Sequence, residues 1–118
     1  MWERYNISAQ QALSQGRPVD AENLFRQALA EAEKMGPQEP KIVTSLNNLA
    51  NCLRQQGKHN DAEPLYQRAI KMKEMAGGHF HKDLVMLLEN YAKSLRANGR
   101  GAEADKLESR AQAIFAKK

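Results

Sequence analysis

The side chains that could bind a metal ion are few in this chain and poorly grouped. His79 and His81 lie two residues apart with Asp83 close behind them, and His59 lies well upstream. A closed metal site normally needs four ligands, so this pair supplies too few. We expect His81 to mark the entry to a helix, and we expect neither a metal nor a cofactor.

The residues that could act as nucleophiles also lack the surroundings that activate them. Cys52 is the only cysteine and lies within an amphipathic segment, where a small half-buried residue is usual. The serines have no glycine elbow, and the pair Gly77–Gly78 does not form a phosphate-binding loop. The sequence therefore predicts a protein that is not an enzyme.

Amide side chains are concentrated in the stretch "SLNNLANCLRQQG", residues 45–57. Its leucines recur at helical spacing, yet the same segment carries Asn47, Asn48 and Asn51. Asparagine is a mediocre helix former because its amide competes for nearby backbone groups. Either these amides face solvent, or they line a surface that recognises something.

Three segments of the chain share one pattern, and the asparagine-rich stretch precedes the second of them. They are "QGRPVDAENLFRQAL" (15–29), "QGKHNDAEPLYQRAI" (56–70) and "NGRGAEADKLESRAQ" (98–112). Their glycines recur 41 and 42 residues apart. A fixed period of this size is typical of stacked repeats, and no segment alternates with the period of two that a strand requires.

Each repeat is predicted to be a helix hairpin. In the second, apolar residues recur at helical spacing from Ile42 to Leu53, and the helix is expected to end at Gly57. The next helix is expected to begin near Asn60, with Glu63 completing a capping box. The other hairpins are predicted at 3–15 with 19–35, and at 82–97 with 102–117.

The repeated residues resemble the tetratricopeptide repeat, whose first helix has large, large, small and large positions and whose second has alanine followed by an aromatic. In the second hairpin these are Leu46, Leu49, Ala50 and Leu53, then Ala62, Tyr66 and Ala69. The period exceeds the usual 34 or so residues and is similar to the kinesin light chain subclass. The resemblance implies an all-α fold, a right-handed α-solenoid of three hairpins and six helices. We expect one domain over 1–118, with repeats at 2–36, 40–77 and 82–116.

One departure from the repeat pattern concerns the last helix. Glu108 stands where the pattern has an aromatic residue that packs toward a following hairpin. A charge costs little there if no hairpin follows, so we expect this helix to act as a terminal cap.

In such a solenoid the first helices of the hairpins line a concave groove, and the resemblance implies that peptides bind there. Asn47, Asn51 and Arg54 share one helix stripe, since i, i+4 and i+7 lie on one face. Amides pair with the backbone of an extended peptide, and cations select acidic side chains. Some of these amides could instead bond between repeats, Asn48 above all. The groove residues that the resemblance implies are Asn47, Asn48, Asn51, Arg54, Asn90, Lys93 and Arg96.

Composition and charge limit the remaining possibilities. The chain has 118 residues, and no apolar run approaches a membrane span. The start of the chain lacks a signal-peptide core, and one unpaired cysteine fits a reducing compartment, so we expect a cytoplasmic protein. Residues 1–38 hold four basic and five acidic side chains, whereas the remainder holds fourteen and nine. The basic part could attract an acidic partner.

These observations lead to one preferred function and two alternatives. We expect a non-catalytic adaptor that holds a peptide segment of a protein partner in its groove. The main alternative is a self-associating scaffold module that stacks end to end or exchanges helices between copies. Nucleic-acid binding ranks third, because the basic residues are spread over both helices of each hairpin and the aromatics occupy core positions.

Overall fold

The computed structural model describes residues 1–78 and 82–116, and these residues form six α-helices and no strand. The helix predictions are confirmed to within a few residues at each end. The helices are α1 (Trp2–Ser14), α2 (Pro18–Lys34), α3 (Pro40–Gln55), α4 (His59–Gly77), α5 (Asp83–Ala97) and α6 (Gly101–Ala116).

A glycine ends the first helix of every hairpin. Gly57 has a φ of 80°, in the left-handed region that residues with a Cβ rarely adopt. This conformation lets Gly57 N–H bond to the Arg54 carbonyl and Lys58 N–H bond to the Leu53 carbonyl, which satisfies the last turn of α3. Gly16 and Gly99 repeat the arrangement at the ends of α1 and α5. The local sequence therefore sets where each hairpin turns.

The core runs along the whole stack. Within each hairpin the two helices pack closely, and α2 packs on α3 as α4 packs on α5. Ala9, Ala50 and Ala92 are fully buried at equivalent positions, where a small side chain lets helices approach. The larger buried side chains, which include Phe25 and Tyr66, fill the space between the helices.

The start of α4 differs from the prediction. The helix begins at His59 with Lys58 as its N-cap residue, and no side chain caps it. Asn60 instead accepts a hydrogen bond from Asn98, at 3.2 Å, and Glu63 bonds to the third hairpin. The predicted capping box is therefore wrong, because both side chains have partners on the next repeat.

The stack curves with the odd-numbered helices inside. Helices α3 and α5 contact each other, and Trp2 Nε1 of α1 donates to Ser45 Oγ of α3 at 2.6 Å. On the opposite side the backbones lie farther apart, and long side chains join the described parts of the helices, Arg68 of α4 to Glu33 of α2 and Arg110 of α6 to Glu74 of α4. We call the exposed side of α1, α3 and α5 the inner face. None of the six helices, as described, is long and apolar enough to cross a bilayer.

Candidate functional site

Four of the asparagines join successive hairpins in a repeated hydrogen bond. Asn48 Nδ2 donates to Asn6 Oδ1 at 3.3 Å, and Asn90 Nδ2 donates to Asn47 Oδ1 at the same distance. The second bond is the first displaced by one repeat. Asn47 is only 9% exposed. Three of the seven predicted groove residues thus bond between repeats, the alternative that the sequence had left open.

We expect these bonds to contribute measurably to stability. Replacing Asn90 by alanine should lower the free energy of unfolding by about 1 kcal/mol relative to a control, because it removes one inter-hairpin hydrogen bond. The control is Asn23→Ala on the exposed side of α2, which gains the same helix propensity. Urea denaturation followed by circular dichroism measures both. Equal stabilities for the two variants would contradict the structural role.

Asn51 and Arg54 serve the buried tyrosine of the second hairpin. Tyr66 is fully buried, its hydroxyl donates to Asn51 Oδ1, and it accepts from Arg54 Nε at 3.2 Å. Burial raises the pKa of the Tyr66 phenol, while the bond from Arg54 opposes that rise. The hydroxyl stays protonated at neutral pH, so it remains the donor to Asn51.

The same positions in the other hairpins vary together. In the first, Phe25 replaces the tyrosine and Leu13 replaces its arginine partner. In the third, Glu108 takes the aromatic position and accepts a hydrogen bond from Arg96, which also donates to Asp105 at 2.6 Å. An apolar pair, a phenol with its partners and an ion pair thus occupy equivalent places. Glu108 has a charged partner on its own hairpin, which the sequence did not suggest.

Two of the predicted groove residues keep polar groups available on the inner face. Lys93 is exposed and has no hydrogen bond or ion pair with residues 1–78 or 82–116. Arg54 is half-buried, and its terminal nitrogens have no partner within the same ranges. The positive charge of Arg96, in contrast, is already balanced by two carboxylates of α6.

The inner face also carries exposed apolar side chains that were not among the seven predicted groove residues. Met86 is 58% exposed and lies four and seven residues before Asn90 and Lys93, on the same side of α5. Ile7 on α1 is 59% exposed. The sequence did contain a signal for Met86, because its spacing from Asn90 and Lys93 places all three on one side of a helix. The inner face therefore combines exposed apolar groups with uncommitted cations.

Neither a metal centre nor an activated thiol emerges in the described part of the chain. Residues 1–78 and 82–116 contain no group of three or more potential metal ligands, and His79 and His81 lie outside these residues. Cys52 is buried, which raises the pKa of its thiol, and Sγ donates to the Pro18 carbonyl at 3.5 Å. A raised pKa lowers the thiolate fraction, so the structure gives this thiol no nucleophilic character.

The comparison with family models identifies the repeat. The model described as "Tetratricopeptide repeat" matches residues 5–75, which is more than half of the chain. The chain belongs to the tetratricopeptide repeat family. Tetratricopeptide repeats are in general protein–protein interaction modules and are typically not catalytic. No curated protein sequence matches the chain.

Solved tetratricopeptide structures have the same fold. A Podosopora anserina protein described as a kinesin light chain with nearly identical TPR-like repeats is 22% identical, with a TM-score of 0.86. A point variant of it gives 23% and 0.87. The chain is covered to 98% in both matches but spans only 55% of those proteins.

A tetratricopeptide domain from a plant shows the same fold over nearly its full length. The TPR domain of Arabidopsis FLU is 16% identical with a TM-score of 0.85, and the match covers 99% of this chain and 96% of that domain. The predicted α-solenoid of three hairpins and the similarity to kinesin light chain repeats are both confirmed.

Proposed function

We propose that this tetratricopeptide chain is a non-catalytic adaptor that holds an acidic peptide segment of a partner protein against its inner face. One observation supports this most directly, namely that Lys93 is exposed and unpaired among the described residues, two helical turns after exposed Met86 on the same side of α5. A cation and an apolar side chain on one face suit a peptide that carries both acidic and apolar residues. We propose that the three repeats, 2–36, 40–77 and 82–116, act as one domain.

The seven residues suggested by the sequence then divide into two roles. Asn47, Asn48 and Asn90 fix the spacing of α1, α3 and α5, so they act on the peptide through the shape of the face. Lys93 and the terminal nitrogens of Arg54 contact the peptide directly. Asn51 orients Arg54 through the shared tyrosine hydroxyl, and Arg96 contributes only where an acidic peptide displaces its own carboxylate partners.

The compartment proposed for this adaptor is the cytoplasm. Cys52 is a free, buried thiol, and unpaired cysteines persist most readily in reducing compartments. Its burial also protects it from exchange with other thiols.

The test is a peptide array probed with purified protein, in which each peptide is present in acidic, neutral and basic versions. We expect binding to acidic versions, and Lys93→Glu should weaken it about tenfold because attraction becomes repulsion. Lys71→Glu is the matched control, since Lys71 is an exposed lysine of α4. Equal losses for both variants, or binding of a DNA duplex in preference to peptides, would contradict the proposal.

A further inference from the structure

We propose that two copies of this chain associate head to tail, so that α1 and α2 of one copy continue the stack beyond α5 and α6 of the other. The proposal is separate from peptide binding on the inner face. It rests on a contact in which the turn of one hairpin binds a carboxylate of the preceding hairpin. This contact recurs at both junctions of the stack. The first hairpin has the same turn residues, and the last hairpin has a carboxylate at the same position.

The first junction shows the contact. The turn between α3 and α4 reaches back to Glu22 of the preceding hairpin, where Gln56 Nε2 and Lys58 Nζ each approach Glu22 Oε1 at 3.1 Å. Glu22 is mostly buried, with a side chain 13% exposed. Its burial raises the pKa, but the bonds from Lys58, Arg26 and Gln56 outweigh this, so the pKa of its carboxyl is lowered.

The second junction repeats the contact one period later. Arg100, in the turn between α5 and α6, donates to Glu63 Oε1 at 2.8 Å. Glu63 lies 41 residues after Glu22, and Arg100 lies 42 residues after Lys58. Arg100 also pairs with Glu103 on its own helix, at 2.6 Å. One arginine therefore holds a local carboxylate and a carboxylate of the preceding hairpin together.

The same positions also occur on the first and last hairpins, where no other hairpin of residues 1–78 or 82–116 packs against them. Lys58 and Arg100 occupy the same turn position in their hairpins, and Arg17 occupies it in the first hairpin, 41 residues before Lys58. Gln15 likewise corresponds to Gln56. The Arg17 side chain is 60% exposed and pairs with Asp20, as Arg100 pairs with Glu103. Arg17 Nη1, the nitrogen that in Arg100 binds the second carboxylate, donates to Gln15 Oε1 at 3.3 Å and keeps a second N–H for a further carboxylate.

The opposite end supplies the matching carboxylate. Asp105 lies 42 residues after Glu63, at the position that Glu22 and Glu63 occupy in the first two hairpins. Its side chain is 69% exposed and accepts from Arg96 through Oδ1 at 2.6 Å, so Oδ2 can accept from a second donor. Glu108 and Glu89 stand at the positions of Tyr66 and Asn47, which in the second hairpin contact the third. The first hairpin therefore presents a cation and an amide, Arg17 and Gln15. The last hairpin presents acidic side chains at the positions that would face them.

The predicted contact joins Gln15 and Arg17 of one copy to Asp105 of another. We expect a weak and salt-sensitive association, since the apolar part of the internal junction is reduced at the ends. Tyr66 and Tyr91 stack across the second junction with ring centroids 5.7 Å apart. Their equivalents at the new junction are Glu108 and Ser8, which replace stacking by a hydrogen bond.

Sedimentation equilibrium of the full chain at increasing protein concentration and two ionic strengths tests the proposal. We expect the mean mass to rise with concentration at low salt and to fall toward the monomer at high salt. Arg17→Glu and Asp105→Arg should each weaken association at least about tenfold. A mixture of the two variants should associate again, since each junction between unlike variants pairs opposite charges.

Two charge reversals away from the end faces serve as controls. Lys71→Glu and Asp61→Arg change the net charge equally at exposed positions of α4, and we expect both to associate like the unmodified chain. The recovered association of the mixture excludes misfolding of the single variants. A mass that stays monomeric at every concentration, or an association that Arg17→Glu and Asp105→Arg leave unchanged, would overturn the proposal.

Discussion

Replacing Tyr66 by alanine is expected to lower the free energy of unfolding by about 3–5 kcal/mol, the cost of truncating a fully buried aromatic side chain. Tyr66 lies between the second and third hairpins, where it stacks on Tyr91. Its removal also leaves Asn51 and Arg54 without their common partner. Urea denaturation monitored by circular dichroism measures the loss, and a cost below about 1 kcal/mol would contradict the central role given to this residue.

Matched variants separate the ring from its hydroxyl. Tyr66→Phe keeps the ring and should cost only about 1–2 kcal/mol, the penalty for partners that lose a hydrogen bond. Combining Tyr66→Phe with Arg54→Leu copies the first hairpin, where Phe25 lies with Leu13. This double variant should be more stable than Tyr66→Phe alone. If it is less stable, the joint variation of these positions has another cause.

The fold was predictable from the sequence because local signals determine it. Each hairpin turns at a glycine, and Gly57 adopts a backbone conformation that other residues avoid. The apolar residues from Ile42 to Leu53 recur at helical spacing and are buried as that spacing requires. These signals act over a few residues and predict the helices and turns, whereas the stacking of the hairpins followed from the repeat period and from the resemblance to the tetratricopeptide repeat.

The candidate site was predictable only in part, because its side chains bond to other repeats. Helical spacing placed Asn47 on an exposed stripe, yet α5 covers it, and its amide oxygen accepts from Asn90. The same reason explains the error at the start of α4, where Asn60 pairs with Asn98 instead of capping its own helix. These hydrogen-bond partners lie about one repeat away in sequence. Which residues meet depends on how successive hairpins are offset in the stack, and the pattern of a single helix does not reveal this offset.

A mostly buried carboxylate, Glu63, lies at the junction between the second and third hairpins. Glu63 accepts from the Tyr91 hydroxyl and from Arg100 Nη1, and its side chain is 20% exposed. Burial first, and then the neighbouring carboxylate, raises the pKa of Tyr91 to about 12. The phenol therefore remains a donor at neutral pH, and the carboxylate remains its acceptor.

Acid should destabilise this junction in a defined pH range. The bonds from Arg100 and then from Tyr91 lower the pKa of the Glu63 carboxyl below its ordinary value of 4.5. A lowered pKa in the folded state means that the stabilisation is complete above the unfolded value. It is lost as the pH falls from about 4.5 through the folded pKa. We expect the midpoint of urea unfolding to fall over this range.

Glu63→Gln is the decisive variant for this acid sensitivity. At neutral pH it should lower the free energy of unfolding by about 1.5–3 kcal/mol, because it removes hydrogen bonds to a charged group. Below pH 4.5 the difference from the unmodified chain should shrink, since protonation has already neutralised the carboxyl there. Glu89→Gln is the control, because Glu89 is exposed, and it should change stability by less than about 0.5 kcal/mol at any pH. A constant difference between Glu63→Gln and the unmodified chain from pH 7 to pH 3 would mean that the ionised carboxylate does not hold the two hairpins together.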